Sequence, residues 1–82
     1  MENKPYSSKQ AAYHRMKSRL YRVEFDLKDK KRPGYLWYGW GEKLYFAACE
    51  EEAIEITFRD VCLFEFPNTK IEDWGFKCWI VE

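Results

Sequence analysis

The run from Tyr21 to Leu27 constrains this chain most. Tyr21, Val23, Phe25 and Leu27 alternate with Arg22, Glu24 and Asp26. A period of two puts one set of side chains on a core and the other in water. The chain therefore needs a sheet covered on one face and wet on the other. Lys28 to Gly34 (KDKKRPG) follows as a turn, with Pro33 and Gly34 suited to the central positions of a type II turn. Tyr35 to Trp40 (YLWYGW) then reads as the returning strand of a hairpin, apolar on both faces. If one face is core, the other is an exposed aromatic surface. Gly39 and Gly41 allow a bulge or a bend there.

The second half carries the covering element. Glu42 to Ala48 reads as a connection, with a short strand possible at Leu44 to Phe46. A helix starts at Glu50, where Glu50, Glu51 and Glu52 suit the positive end of the helix dipole. Ala53, Ile54, Thr57, Phe58 and Val61 form its apolar stripe. Ile54 to Phe58 also alternates as a strand would, but the acidic start is hard to place in a sheet. Leu63 to Phe66 reads as a third strand ended by Pro67-Asn68. Trp74 to Val81 reads as a fourth: Trp74, Phe76, Cys78 and Ile80 share one face, and Gly75, Lys77, Trp79 and Val81 the other. At the other end, Ser7-Ser8 can cap a helix over Lys9 to Arg19, with Ala12, Tyr13, Met16 and Leu20 on one stripe. That stretch is either a packing helix or a mobile basic arm. The expected architecture is α+β: one domain over 1–82 in the order (α)ββαββ. It is a small antiparallel sheet with one helix packed on a face, and 1–19 form a basic N-terminal helix or arm.

Composition narrows function. Aromatics make up 20% of the 82 residues and His occurs once. Rings supply contact area for cores and interfaces, not proton transfer. His14 has no partner in the sequence that would orient it as a base. Glu50, Glu51 and Glu52 spread around a helix, and the adjacent Glu72-Asp73 fall short of the 6–8 oxygens an ion such as Ca²⁺ takes. Gly39-Trp40-Gly41 lacks the remainder of a phosphate loop. Three widely spaced cysteines, Cys49, Cys62 and Cys78, form no CxxC or His-Cys cluster, so no zinc site is expected. The expectation is a protein with no catalytic residues and no cofactor. The polar Met1 to Lys9 has no apolar signal region, and no apolar run approaches the ~20 residues of a membrane span. With an odd number of cysteines, a reducing compartment and so a cytoplasmic location is expected.

The net charge is zero but unevenly distributed. Positions 1–32 hold ten basic and four acidic residues; positions 33–82 hold the reverse. Folding either interleaves these charges or leaves two opposite patches. For a protein partner, the candidate contacts are the aromatics Trp37, Tyr38 and Trp40, the acidic helix residues Glu51, Glu52 and Glu55, and Lys77, Cys78 and Trp79 on the last strand. For nucleic acid, the candidates are Lys30, Lys31 and Arg32, whose charges meet phosphates while the neighbouring rings stack on bases.

Two runs carry a family resemblance. Ala47-Ala48-Cys49-Glu50-Glu51-Glu52-Ala53-Ile54 followed by Phe58-Arg59-Asp60-Val61-Cys62, and the ending Cys78-Trp79-Ile80-Val81-Glu82, resemble small phage anti-CRISPR proteins. The similarity is to the type II-C inhibitors that bind the Cas9 HNH nuclease domain, and it spans about a third of the chain. In that family a Ser-Cys pair near the C-terminus contacts the HNH catalytic residues. Cys78 matches the Cys, whereas position 77 is Lys. The resemblance implies a stoichiometric inhibitor that docks on a CRISPR effector, Cas9 or a Cascade-type complex, and blocks nucleic-acid binding or cleavage. It implies neither catalysis nor a cofactor. The expected protein is a monomer or homodimer without membrane contact. The alternative is a small nucleic-acid-binding module using the basic turn and the aromatic strand, and a third reading is a subunit of a phage assembly.

Overall fold

A computed structural model describes residues 18–81, which form an α+β fold. Strand β1 (Arg19–Leu27) is central, between β2 (Trp40–Ala47) and β3 (Trp74–Ile80), and both neighbours run antiparallel to it. Between β1 and β2 lies a single helical turn, α1 (Tyr35–Tyr38). Between β2 and β3 runs a helix in three parts: α2 (Glu50–Thr57), a π-helical segment (Phe58–Cys62) and α3 (Leu63–Glu65). A 3₁₀ turn, Ile71–Asp73, leads into β3. The expected helix over Lys9 to Arg19 falls outside the described residues, except that Arg19 already belongs to β1.

The alternation in β1 does what the sequence implies. Tyr21, Val23, Phe25 and Leu27 are buried against the helix. The register places Phe76 beside Phe25 and Trp74 beside Leu27 on that same face. One end of the core is Phe25, Leu27, Cys62, Phe66 and Trp74. Phe25 and Phe66 each meet the Trp74 ring edge-on, at 6.0 and 5.7 Å between centroids, the geometry the aromatic quadrupole favours. The Trp74 indole N–H donates to Thr69 Oγ1 (3.1 Å), whose hydroxyl donates to the Phe66 carbonyl (2.7 Å). The other end is built from Tyr21, Val23, Ala47 and Ala53.

The fold departs from two expectations. Leu63–Glu65 continues the helix instead of forming a strand, and Phe66 ends it. Its buried positions are 53, 57, 62 and 66, so the spacing is four, five and four. The extra residue is absorbed by the π segment, which turns Cys62 rather than Val61 fully onto the sheet. Thr57 lies just before it; its buried hydroxyl donates to the Ala53 carbonyl (2.8 Å), a back-bond that bends helices. The helix ends at Glu65 because Phe66 precedes Pro67 and leaves the helical region (φ −132°, ψ 73°). At its start, Cys49 provides no side-chain cap, and Glu52 reaches back instead to accept from the Ala48 N–H (2.6 Å).

The second departure is Tyr35 to Trp40. Pro33-Gly34 does make the expected turn: Gly34 has φ 89° and ψ −6°, and the Tyr35 N–H donates to the Arg32 carbonyl (3.0 Å). The chain then coils once through α1 before β2 begins at Trp40. The paired strand therefore falls on Trp40–Ala47, longer than the short strand expected at Leu44 to Phe46 within a connection.

Candidate protein-docking surface

The helix covers one face of the sheet. The opposite face carries Arg22, Glu24 and Asp26 from β1, Trp40, Glu42, Leu44 and Phe46 from β2, and Lys77 and Trp79 from β3. At one end of this face stands α1, the most exposed apolar feature next to a strand. Leu36 and Trp37 are 75% and 79% exposed, and Tyr38 and Trp40 are more than half exposed.

This turn is held firmly from beneath. Tyr38 N–H donates to the Gly34 carbonyl (2.9 Å), Gly39 N–H to the Tyr35 carbonyl (2.8 Å), and Leu27 N–H to the Gly39 carbonyl (2.7 Å). Gly39 is buried, and a Cβ there would collide with Tyr35. The Trp40 indole N–H donates to the Leu36 carbonyl (3.3 Å). Below them, Asp26 accepts from the Tyr35 hydroxyl (2.6 Å) and from Lys30 Nζ (2.6 Å), and Lys30 also reaches the Tyr35 oxygen (3.1 Å). Partial burial pushes the Asp26 carboxyl up, but the bonds from Lys30 and Tyr35 and the Lys30 charge outweigh it, leaving the group below its ordinary value. Lys30 is raised by the bond to Asp26 first and that to Tyr35 next. The outcome is a preorganised apolar projection, which loses little side-chain and loop entropy on contact. Beside it lies an open groove of about 780 Å³, walled by Tyr35 and Trp40 and bordered by Glu24, Glu42 and Lys77.

The structure brings together some expected contacts and separates others. Trp37 and Tyr38 on α1 and Trp40 at the start of β2 form one exposed projection, and Trp40 and Lys77 both line the groove. Trp79 lies further along the face, where Arg22 covers its ring at 4.9 Å. Arg22 Nε lies 3.3 Å from Glu42 and its Nη2 3.8 Å from Glu24, so two carboxylates share one guanidinium. Glu51 and Glu55 are exposed and Glu52 half-buried, but α2 begins after the far end of β2. The helix also covers the face opposite the open one, so these acids do not join the α1 projection. Cys78 is half-buried on the helix-covered side, opposite Val23. Burial, then the nearby Glu50 charge and Cys49, push its thiol up. Lys77 and Cys78 therefore point to opposite sides of the sheet and cannot act as an adjacent contact pair.

The basic turn is partly committed to the fold. Lys30 anchors α1, Lys28 Nζ donates to the Glu72 carbonyl (2.9 Å), and Arg32 sits 5.7 Å over the Phe66 ring. Lys31 is exposed. The Asp26–Lys30–Tyr35 network escaped sequence reading; its only local signal is the i,i+4 acid–base spacing of Asp26 and Lys30. Among the described residues no group of His, Cys, Asp and Glu is arranged to hold a metal ion, and no helix is long and apolar enough to cross a membrane. His14 lies outside them. Comparison with family models, with curated proteins and with solved structures found no match.

Proposed function

We propose that this protein is a stoichiometric inhibitor that docks on a larger protein through α1 and the groove beside it. The observation that carries the reading is the exposure of Leu36, Trp37, Tyr38 and Trp40 at a turn whose backbone is hydrogen-bonded and tied to Asp26 and Lys30 through Tyr35. Large rings held in one conformation and ringed by charges are what interface hot spots are made of. The partial resemblance to phage anti-CRISPR proteins supports a CRISPR effector, Cas9 or a Cascade-type complex, as the target. The position of Cys78 argues for a mode of contact different from the Ser-Cys contact of that family.

Pull-down against purified effectors of each type tests the reading. A complex should form with one of them, and Trp37→Ala should weaken it by about 2 kcal/mol or more, roughly thirtyfold. Absence of a complex with every type removes the CRISPR target. A complex indifferent to Trp37→Ala removes α1 as the docking element.

Nucleic-acid binding is the second reading, supported by Lys31 and Arg32 at the base of the same aromatic turn. Its signature is affinity that falls steeply with salt and drops with Lys31→Ala. No binding to single-stranded oligonucleotides at low salt excludes it.

A further inference from the structure

Strand β2 is an edge. Among the described residues it pairs with β1 on one side only, so its outer N–H and C=O groups face away from the sheet over eight residues. Proteins usually blunt such an edge by shortening it, bulging it, or placing Pro and charge along it. β2 has no Pro, and its two charges, Glu42 and Lys43, stand in its first half. The second half, Leu44-Tyr45-Phe46-Ala47, is uncharged. Leu44 and Phe46 lie on the open face, 56% and 70% exposed.

The charge pattern restricts what this edge can accept from a second copy. Antiparallel pairing of β2 with itself places one residue on the two-fold axis, opposite its own copy. An axis at Glu42 or Lys43 sets like charges directly opposite, which destabilises. An axis at Leu44 sets the exposed Phe46 against Glu42. An axis at Phe46 runs the pairing into Ala48-Cys49, where the strand has ended. An axis at Tyr45 sets Leu44 opposite Phe46 twice and Lys43 opposite Ala47, with no like charges facing. This axis also keeps both open faces on the same side.

We propose that the protein forms a two-fold dimer through β2, centred on Tyr45, giving a continuous six-stranded sheet. The occupant of the edge is thus a second copy of this chain. The two α1 turns then sit at opposite ends of one face. Ten residue steps separate the two copies of Trp40, about 33 Å at ~3.3 Å per step. Two spaced projections on one particle raise avidity for a partner with two sites. The proposal stands independently of the identity of any target.

Leu44 and Phe46 are exposed, so cysteine at either position leaves the core intact. Full-length chains carrying Cys49→Ser with either Leu44→Cys or Phe46→Cys test the register. Mixed in equal amounts under oxidising conditions, they should form mainly the disulfide between unlike chains, because position 44 faces position 46 of the other copy. Each alone should cross-link at least fivefold less. Sedimentation of the unmodified chain should move from monomer to dimer with concentration, and Phe46→Lys should weaken that association at least tenfold. Self-cross-linking of the Leu44→Cys chain at a rate equal to the mixture overturns the register. Sedimentation as a monomer at all concentrations, including a monomer that uses this edge to bind another protein, overturns the dimer.

Discussion

The two faces of this three-stranded sheet use the same kinds of residue for opposite purposes. On the helix side, Trp74 is 3% exposed and locked between Phe25 and Phe66. On the open side, Trp40 stands opposite Asp26 and Trp79, on the same strand as Trp74, stands opposite Arg22. The helix Glu50–Glu65 makes the difference, since it covers one face and leaves the other without a partner. Aromatic density in a small domain is therefore not evidence of a large core. Here the core rings are few, and much of the remaining aromatic surface gathers on α1 and the open face.

If that division is real, the largest effect belongs to the covered side. Trp74→Ala should destabilise by about 3–5 kcal/mol, or prevent folding, because it empties the centre of the core and strips Thr69 of its indole donor. Urea unfolding followed by circular dichroism measures this. A loss under about 1 kcal/mol would mean that the core lies elsewhere. Next comes Cys62→Ser, expected to cost about 1–3 kcal/mol by burying a hydroxyl among apolar neighbours. Burial pushes the Cys62 thiol up to about 12. In the native protein a thiol reagent should label exposed Cys49 first and leave Cys62 untouched until the chain unfolds.

The covered side was also the more legible one in sequence. The alternation of β1, the two faces of β3, the acidic helix start and the Pro33-Gly34 turn are all local patterns. Each is enforced by backbone periodicity or by one residue's φ preference, and each appears in the fold. What stayed hidden depends on distant contacts. Tyr35 to Trp40 is apolar without clear period, so nothing local separates strand from helix. The buried Gly39 packing onto Tyr35, and the bonds from Tyr35 to Asp26, select the helical turn. The helix through Leu63 to Glu65 depends on a π segment that keeps Cys62 on the sheet. Without it, the stripe from Ala53 drifts off the core and Leu63 to Phe66 looks detached. Lys30 was legible as charge but not as an anchor, and Arg22 and Trp79 meet only because β1 and β3 pair.

Between the two faces lies the Asp26–Lys30–Tyr35 anchor, where the effects are smaller. Tyr35→Phe removes a hydroxyl bonded to a carboxylate and should cost about 1 kcal/mol. It should weaken partner binding more than that loss alone implies, because α1 loses its fixed pose. The anchor also sets a pH window. Asp26 is lowered on folding, so its contribution is present above the unfolded value near 3.9 and is lost as pH falls through the folded one. Lys30 is raised, so its contribution is complete below the unfolded value near 10.4 and is lost as pH rises through the folded one. Stability should be flat between about pH 5 and 8; above that the unfolded Cys62 thiol ionises at about 8.5 while the folded one, raised by burial, stays protonated, so stability begins to fall. Asp26→Asn should flatten the acid limb; an acid limb unchanged by that substitution would assign it to other carboxylates.

A smaller stability effect than that of Trp74→Ala is expected from the counterpart of Trp74 on the same strand. Trp79 lies five residues along β3, on the open face, with Arg22 4.9 Å above its ring. An exposed cation–π contact is worth about 0.5–1 kcal/mol, and Trp79 is 39% exposed against 3% for Trp74, so less burial is lost with it. Trp79→Ala should therefore shift the urea midpoint less than Trp74→Ala, with an unchanged m-value. Arg22 keeps its ion pairs with Glu42 and Glu24, so the substitution leaves its charge paired. A cost equal to that of Trp74→Ala, or a raised m-value, would mean that the open face is covered in the folded chain. The asymmetry between the two faces, and with it the docking role of the exposed one, would then fail together.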